Sequence, residues 1–166
     1  MSEEMYSGQK TENKFYNLMK INDWTIWKAN PKEDMFNHFD FWIKKSDRKY
    51  MVEVKGMKKI SRSDDVSQDE WTCVELKGIE DSGWLYGGDI KRIIAFEMRF
   101  GFRFILCGEL KNLVDKYTKP IYVNSSREAQ YKIYRRESTK NRFSEITWIE
   151  SNKLKEIQYK DILTNK

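Results

Sequence analysis

Two short segments of alternating polar and apolar residues, joined by a polar turn, restrict the fold of this chain more than any other feature. They lie in the run HFDFWIKKSDRKYMVEVK, residues 38–55. The alternation predicts one strand over Phe39–Lys44 and another over Lys49–Met57, with a turn at 46–48 between them. This run therefore predicts a β-hairpin near the centre of the domain.

The hairpin brings charged residues together. Asp40 lies near the start of the first strand, and Glu53 lies well into the second. Glu53 and Lys55 are two residues apart, so they point to one face of the sheet, whereas Val52 and Val54 point to the other. We therefore expect two carboxylates and one amine on the same face.

Similar patterns give the other elements. The predicted helices are 8–22, 109–117 and 152–159, and the further strands are 24–29, 71–79, 121–123, 131–135 and 145–149. The predicted loops are 30–34, 58–70 and the glycine-rich stretch 81–88. Apolar residues at even positions from Ile94 to Leu106 predict a hairpin that turns near Phe100–Gly101, and a helix over 89–100 is the alternative. Together these elements predict an α/β or α+β domain with a central mixed β-sheet flanked by helices.

Composition limits the functional classes. The chain has 166 residues with a net charge of +5, which favours polyanions weakly. No apolar stretch approaches the roughly 18 residues that span a bilayer, and the polar start is not a signal peptide. Cys73 and Cys107 are predicted to be reduced, buried thiols rather than a disulfide or a zinc site. We therefore expect a cytoplasmic protein with no membrane partner.

Paired carboxylates beside a lysine suit metal-dependent hydrolysis. Mg²⁺, or Mn²⁺ in its place, prefers oxygen ligands, so Asp40 and Glu53 are predicted ligands. Lys55 can position or deprotonate a water, or neutralise a phosphoryl group. Glu12, on the first predicted helix, can complete the site. The catalytic prediction is therefore Asp40, Glu53, Lys55 and Glu12, with the three carboxylates as metal ligands.

A second Glu-x-Lys pattern, at Glu75 and Lys77, is the main competitor. Carboxylates and lysines that alternate with apolar residues are common on half-exposed strands, so the pattern alone is weak. Glu53 has Asp40 one hairpin upstream, whereas Glu75 is preceded only by acids of a loop. We therefore favour Glu53 and Lys55.

These residues resemble the motif of the PD-(D/E)xK nuclease superfamily. The matching elements are Gly8-Gln-Lys-Thr-Glu12, Asp40 and Glu53-Val-Lys55, and the resemblance, over about 8–107, is strongest to archaeal Holliday-junction resolvases and small phage nucleases. Phe39 stands where many members have proline. The resemblance implies a restriction-endonuclease-like core, divalent-metal dependence, cleavage of DNA and, in many members, a homodimer. The C-terminal residues have no counterpart in this resemblance, so we expect a nuclease-like core at 1–118 and a C-terminal extension at 119–166 packed on the same domain.

The function expected from these features is a magnesium-dependent DNA endonuclease acting on branched or otherwise structured DNA, in recombination, repair or phage replication. An exonuclease or a restriction-like nuclease would use the same residues. A non-catalytic DNA-binding module on a nuclease fold is the alternative from another class.

Basic residues around this motif are candidate DNA contacts. Lys58, Lys59 and Arg62 follow the second strand, with Arg48 as a further candidate, and Lys10 precedes Glu12. A second basic run, 127–142, contains Arg135 and Arg136 with Tyr131 and Tyr134 between basic residues. Such residues can grip a nucleic-acid backbone, although a solvated loop and core tyrosines explain the same patterns.

Two aromatics in the glycine-rich stretch, Trp84 and Tyr86, have two interpretations. They could wedge against an unpaired base. A loop packed back onto the sheet by its own aromatic residues is the interpretation that we favour.

Overall fold

The computed structural model describes residues 3–79, 82–139 and 141–164. Four helices and ten strands occur in these residues. The helices are α1 (Glu3–Ile21), α2 (Pro31–Asn37), α3 (Gly83–Tyr86) and α4 (Cys107–Tyr117). The strands are β1 (Thr25–Lys28), β2 (Phe41–Lys45), β3 (Arg48–Lys55), β4 (Trp71–Lys77), β5 (Ile93–Met98), β6 (Gly101–Leu106), β7 (Tyr122–Val123), β8 (Ile133–Thr139), β9 (Arg142–Glu150) and β10 (Tyr159–Leu163).

Two sheets organise these strands. The central sheet has six strands in the order β1-β2-β3-β5-β6-β10, and a second sheet has the order β4-β9-β8-β7. In the central sheet β3 and β5 are parallel and the other neighbours are antiparallel. The architecture is therefore a mixed α/β fold, consistent with α+β, as expected from the sequence.

Each face of the central sheet buries a separate core. Helix α1 covers one face with Phe15, Leu18 and Met19, which pack on residues such as Val52 and Val54. Helices α3 and α4 cover the other face, and β4 and β9 of the second sheet contribute to the same core. Burial of apolar area on both faces fixes the register, because a slip by one residue would exchange the two faces.

Several sequence predictions need correction. Residues 30–34 are not only a loop, because Asn30 caps helix α2 in a capping box with Glu33, and Pro31 is compatible with the first helical position. The glycine-rich stretch contains the short helix α3, and its first residue, Asp81, lies outside the described residues. The last predicted helix, 152–159, is instead a 3₁₀ helix at Ser151–Glu156 followed by β10.

The hairpin predicted around Phe100–Gly101 is confirmed, and the helical alternative over 89–100 is wrong. Strands β5 and β6 pair from Ile93–Leu106 to Met98–Gly101. Gly101 has φ 148°, and a side chain there would collide with the carbonyl oxygen of Ile162. Glycine at this turn therefore lets β10 approach β6.

The C-terminal segment does not form a separate layer. Strand β10 pairs with β6 in the central sheet, while β8 and β9 join β4 in the second sheet. Backbone hydrogen bonds therefore cross residue 118 in both sheets. Within the described residues, no helix has the length and apolar character needed to cross a membrane.

A bidentate ion pair attaches β10 to the central sheet. Arg103 donates from Nε and Nη2 to the two carboxylate oxygens of Asp161, at 2.8 and 3.0 Å. The Arg103 side chain is only 5% exposed, so its buried positive charge is compensated by Asp161 rather than by water. Arg103 thereby couples the last strand to the core.

We expect Asp161→Ala to lower the free energy of unfolding by about 3 kcal/mol, because it leaves a buried guanidinium without its carboxylate. Urea denaturation followed by circular dichroism measures the change. The matched control is Asp65→Ala in an exposed loop position, for which we expect a change within about 0.5 kcal/mol. Equal effects of the two substitutions would contradict the proposed attachment.

Candidate active site

Asp40 is held rigidly at the entry to β2. Its backbone N–H donates to the carbonyl of Val52 (2.8 Å), and its Oδ2 accepts from the N–H of Val54 (2.7 Å). Strands β2 and β3 pair up to Phe41 opposite Val52, and the two hydrogen bonds of Asp40 then attach it to Val52 and Val54, the residues on either side of Glu53. The hairpin thus brings the two carboxylates together, as the sequence predicts.

Glu53 is buried, 6% exposed, and both of its oxygens are engaged. Oε1 lies 2.7 Å from Nζ of Lys55, and Oε2 lies 3.1 Å from Nε of Arg92. Two cations therefore compensate one buried carboxylate. Glu53 and Lys55 share a face of β3, as expected.

Arg92 is a residue that the sequence reasoning missed. It is fully buried, and besides Glu53 it donates to the carbonyl oxygens of Asp89 (2.8 Å) and Trp84. Asp89-Ile-Lys-Arg92 reads as a polar loop before a strand, so no local pattern marks this arginine as buried. Its role becomes visible only when β5 lies beside β3, which makes Glu53 the neighbour of Ile94.

Lys55 lies between the site and the adjoining cleft. Its side chain is 27% exposed, and Nζ lies 5.0 Å from the centre of the Trp84 ring. Trp84 is 7% exposed and packs against Phe96, which agrees with the interpretation that this aromatic packs back onto the sheet. Tyr86 is more exposed and donates a hydrogen bond to Asp115.

Glu12 reaches the site because α1 approaches the end of β3 closely. A Cβ atom on Gly56 would lie 2.9 Å from Oγ1 of Thr11. The absence of a side chain at Gly56 therefore permits this approach. Burial is the largest cause that raises the pKa of Glu12, while Lys28 lowers it, Asp34 raises it and Lys55 lowers it.

The pKa of Asp40 is raised to about 7. Burial is the largest cause, and the negative charges of Glu12 and Glu53 add to it, whereas the Val54 N–H and Lys55 act in the opposite direction. The charges of three carboxylates thus act on one another at one end of the central sheet. The four predicted catalytic residues form one electrostatic group.

The donor set suits Mg²⁺ only in part. Carboxylate oxygens are the right chemistry, and Mg²⁺ commonly binds through one or two carboxylates while retaining waters. Asp40 leaves Oδ1 free of the Val54 hydrogen bond, but Glu53 is held by Lys55 and Arg92. Within the described residues, no group of three acidic, histidine or cysteine side chains is already arranged to hold a metal ion.

A cleft of about 450 Å³ begins at Lys55 and extends to the second sheet. Four of the predicted DNA contacts line it, and these are Lys58, Lys59, Arg62 and Arg136. Lys10 is exposed on α1 and is not part of this lining. Arg135 points away, with its guanidinium 5.0 Å from the Tyr122 ring and 5.9 Å from the Phe143 ring.

Arg48 does not join this group. It begins β3, seven residues before Lys55, and a strand of that length spans about 23 Å. The prediction that Arg48 lies beside the site is therefore wrong. Lys140, in the second basic run, lies outside the described residues.

The two tyrosines of that run contribute mainly to packing. Tyr131 contacts Trp71 and Tyr117, with ring centroids 5.8 and 6.1 Å away. Tyr134 packs against the core beneath the second sheet and also lines the cleft. Core packing thus accounts for Tyr131, while Tyr134 both packs in the core and lines the cleft.

The competing pair, Glu75 and Lys77, is separated by the structure. Glu75 lines the cleft, whereas Lys77 lines a different cavity, and a register shift lies between them on β4. Glu75 pairs across the sheet with Ile146 rather than with an acid. The arrangement of Asp40 and Glu53 has no counterpart here.

Comparison with protein-family models, with curated proteins and with solved structures finds no match. The resemblance to PD-(D/E)xK nucleases therefore stands on the motif and its spacing alone.

We expect Asp40→Asn to stabilise the metal-free protein more at pH 8 than at pH 4.5. The folded state holds a proton on Asp40 up to about pH 7, whereas the unfolded chain releases it near the ordinary aspartate pKa of 3.8. Ionised Asp40 thus costs stability that grows from about pH 4 to pH 7, and asparagine removes this cost.

The expected difference in stabilisation between the two pH values is about 3 kcal/mol. Urea denaturation in the presence of EDTA measures it, with Asp65→Asn as the exposed control. A stabilisation by Asp40→Asn that is the same at both pH values would contradict the raised pKa.

Proposed function

We propose that this protein is a magnesium-dependent DNA endonuclease that hydrolyses phosphodiester bonds, with a preference for branched or otherwise structured DNA. The observation that carries the proposal is the grouping of Asp40, Glu53, Lys55 and Glu12 at the mouth of a basic cleft. The charge interactions around Asp40 support this grouping, and the lining of the cleft supplies cations for the flanking phosphates.

The acidic side chains provide the oxygen ligands. Asp40, through Oδ1, and Glu12 would hold the metal ion, with Glu53 beside them. A bound Mg²⁺ lowers the pKa of a coordinated water and neutralises charge on the phosphoryl oxygens. Burial is the largest cause of the raised pKa of Asp40, and the negative charges of Glu12 and Glu53 add to it; a cation at this position would offset these charges.

Lys55 is suited to stabilise developing negative charge. Its ammonium is paired with Glu53 at 2.7 Å and faces the cleft, so it lies where a phosphate entering the cleft meets the carboxylates. In the hydrolysis, a water oxygen forms a bond to phosphorus and one ester oxygen leaves. An ammonium beside the reacting phosphate lowers the energy of the crowded anionic transition state.

The preference for a particular DNA structure rests on the resemblance to resolvases. End-labelled duplex, nicked, flapped and four-way substrates distinguish the possibilities. Internal products support an endonuclease, and stepwise shortening from an end supports an exonuclease. Cleavage of intact duplex at a fixed sequence supports a restriction-like enzyme.

A non-catalytic DNA-binding module is a second candidate, favoured by the state of Glu53. Both of its oxygens are occupied by cationic side chains. A metal ion at Glu53 would share these oxygens with Lys55 and Arg92, and their positive charges would oppose its binding. Calorimetry that detects neither Mg²⁺ nor Mn²⁺ binding, together with intact DNA after incubation, would support this candidate.

We expect Asp40→Asn and Lys55→Ala each to reduce cleavage in Mg²⁺ by at least about 100-fold, by removing a metal ligand and a charge-stabilising group. Initial rates on the labelled substrates give the measurement, and circular dichroism verifies folding. Lys77→Ala is the matched control, an exposed lysine of a Glu-x-Lys strand outside the cleft. Full activity of both site variants would refute the assignment.

A further inference from the structure

The cleft beside Lys55 is formed by both sheets. Lys55 and Phe96 come from the central sheet, whereas Cys73, Tyr134 and Arg136 come from the second. Lys55, Lys58 and Arg136 all act electrostatically on the thiol of Cys73. Basic groups from opposite walls therefore face the same space.

The cleft carries an excess of available positive charge. Its basic residues are Lys58, Lys59, Arg62, Arg136 and Lys55, the last of which pairs with Glu53, and its acidic residues are Asp69, Glu75, Glu97 and Glu137. Two of these acids are engaged by cations that do not line the cleft: Asp69 accepts from the backbone N–H of Arg99 and faces its guanidinium, and Glu97 pairs with Lys14 at 3.1 Å. A polyanion entering the cleft thus meets cations on both walls.

One side of the cleft is bounded by a loop that contacts the 3₁₀ helix Ser126–Glu128, between β7 and β8. The segment 56–70 runs from β3 to β4, and its Lys58 and Gln68 form an isolated bridge. The carbonyl of Ile60 accepts from Oγ of Ser126, and Asp64 pairs with Arg127. These contacts hold the loop in place, so the cleft has a defined width.

The size of the cleft distinguishes one strand from two. Its volume of about 450 Å³ lies within the range of about 300–1,000 Å³ that holds small ligands, which is enough for one or two nucleotides. A duplex places two strands side by side and therefore needs a wider space than one strand. Only a strand separated from its complement fits between the two sheets.

We propose that the cleft between the two sheets binds single-stranded DNA, so that a flap, overhang or unpaired junction strand is the part of the substrate that enters. This inference rests on the proposed nuclease function and specifies the class of DNA for the same site. Lys58, Lys59 and Arg62 contact the phosphates on one wall, Arg136 contacts them on the other, and Tyr134 offers a partly exposed ring to a base.

Neighbouring arginines on β8 provide a matched pair for the test. Arg136 lines the cleft, and its Nε donates to Oγ of Ser144 (3.3 Å). Arg135 lies on the opposite face, above Tyr122 and Phe143. The two residues have the same charge and adjacent positions but face different surroundings.

The experiment measures binding by fluorescence anisotropy in EDTA, so that cleavage plays no part. The probes are labelled oligothymidylate of about 15 nucleotides and a blunt hairpin duplex of the same charge. We expect the single strand to bind at least about tenfold more tightly, and Arg136→Ala to weaken that binding by about tenfold. In Arg136→Ala, the plot of log affinity against log salt between about 50 and 200 mM should have a slope shallower by about one, because one phosphate contact is lost.

Arg135→Ala should leave the affinity within about twofold of the unchanged protein. Lys58→Ala, at an exposed position, should reproduce the effect of Arg136→Ala, so the test does not depend on one variant folding. Duplex binding as tight as single-strand binding, or equal effects of Arg135→Ala and Arg136→Ala, would overturn the proposal. The nuclease proposal and the single-strand proposal can fail separately. Cleavage by Asp40→Asn tests the chemistry, whereas the binding preference, which should be unchanged in Asp40→Asn, tests the cleft.

Discussion

The ion pair between Arg92 and Glu53 is the interaction on which the site depends. A fully buried guanidinium is costly unless each of its donors finds an acceptor. Arg92 meets this need with the carboxylate of Glu53 on β3 and with the carbonyls of Trp84 and Asp89 on the preceding segment. One side chain therefore joins the middle of the central sheet to helix α3, whose tryptophan lies under Lys55.

The same interaction sets the charge balance of the carboxylates. Glu53 is compensated by two cations, whereas Asp40 receives one backbone hydrogen bond and the repulsion of its neighbours. The two acids of one hairpin therefore differ in their electrostatic environment, although they lie close enough for their charges to interact. Of these two acids, Asp40 is the less compensated, so an added cation would stabilise its ionised form more.

Much of this arrangement follows from local patterns, and the rest does not. The hairpin that joins Asp40 and Glu53 is readable because period-two alternation and a polar turn are local signals. Helix α2 carries a local signal as well, because Asn30, Pro31 and Glu33 form a capping signature. It is nevertheless predicted as a loop, since an Asn-Pro pair is also typical of loops. The burial of Arg92 and the wall that the second sheet gives to the cleft could not be predicted from local patterns. Both depend on pairing between distant strands, such as β4 with β9.

The pairing of β4 has a consequence for how the chain folds during synthesis. In the described residues, β4 is an edge strand whose one sheet neighbour is β9, which begins 65 residues after β4 ends. At a synthesis rate of about 5–20 residues per second, β4 waits about 3 to 13 s for its partner. During that interval the backbone N–H and C=O groups of β4 have no neighbouring strand to pair with. Early chains are therefore open to association through this strand, and chaperones that shield nascent apolar strands would act on this stage.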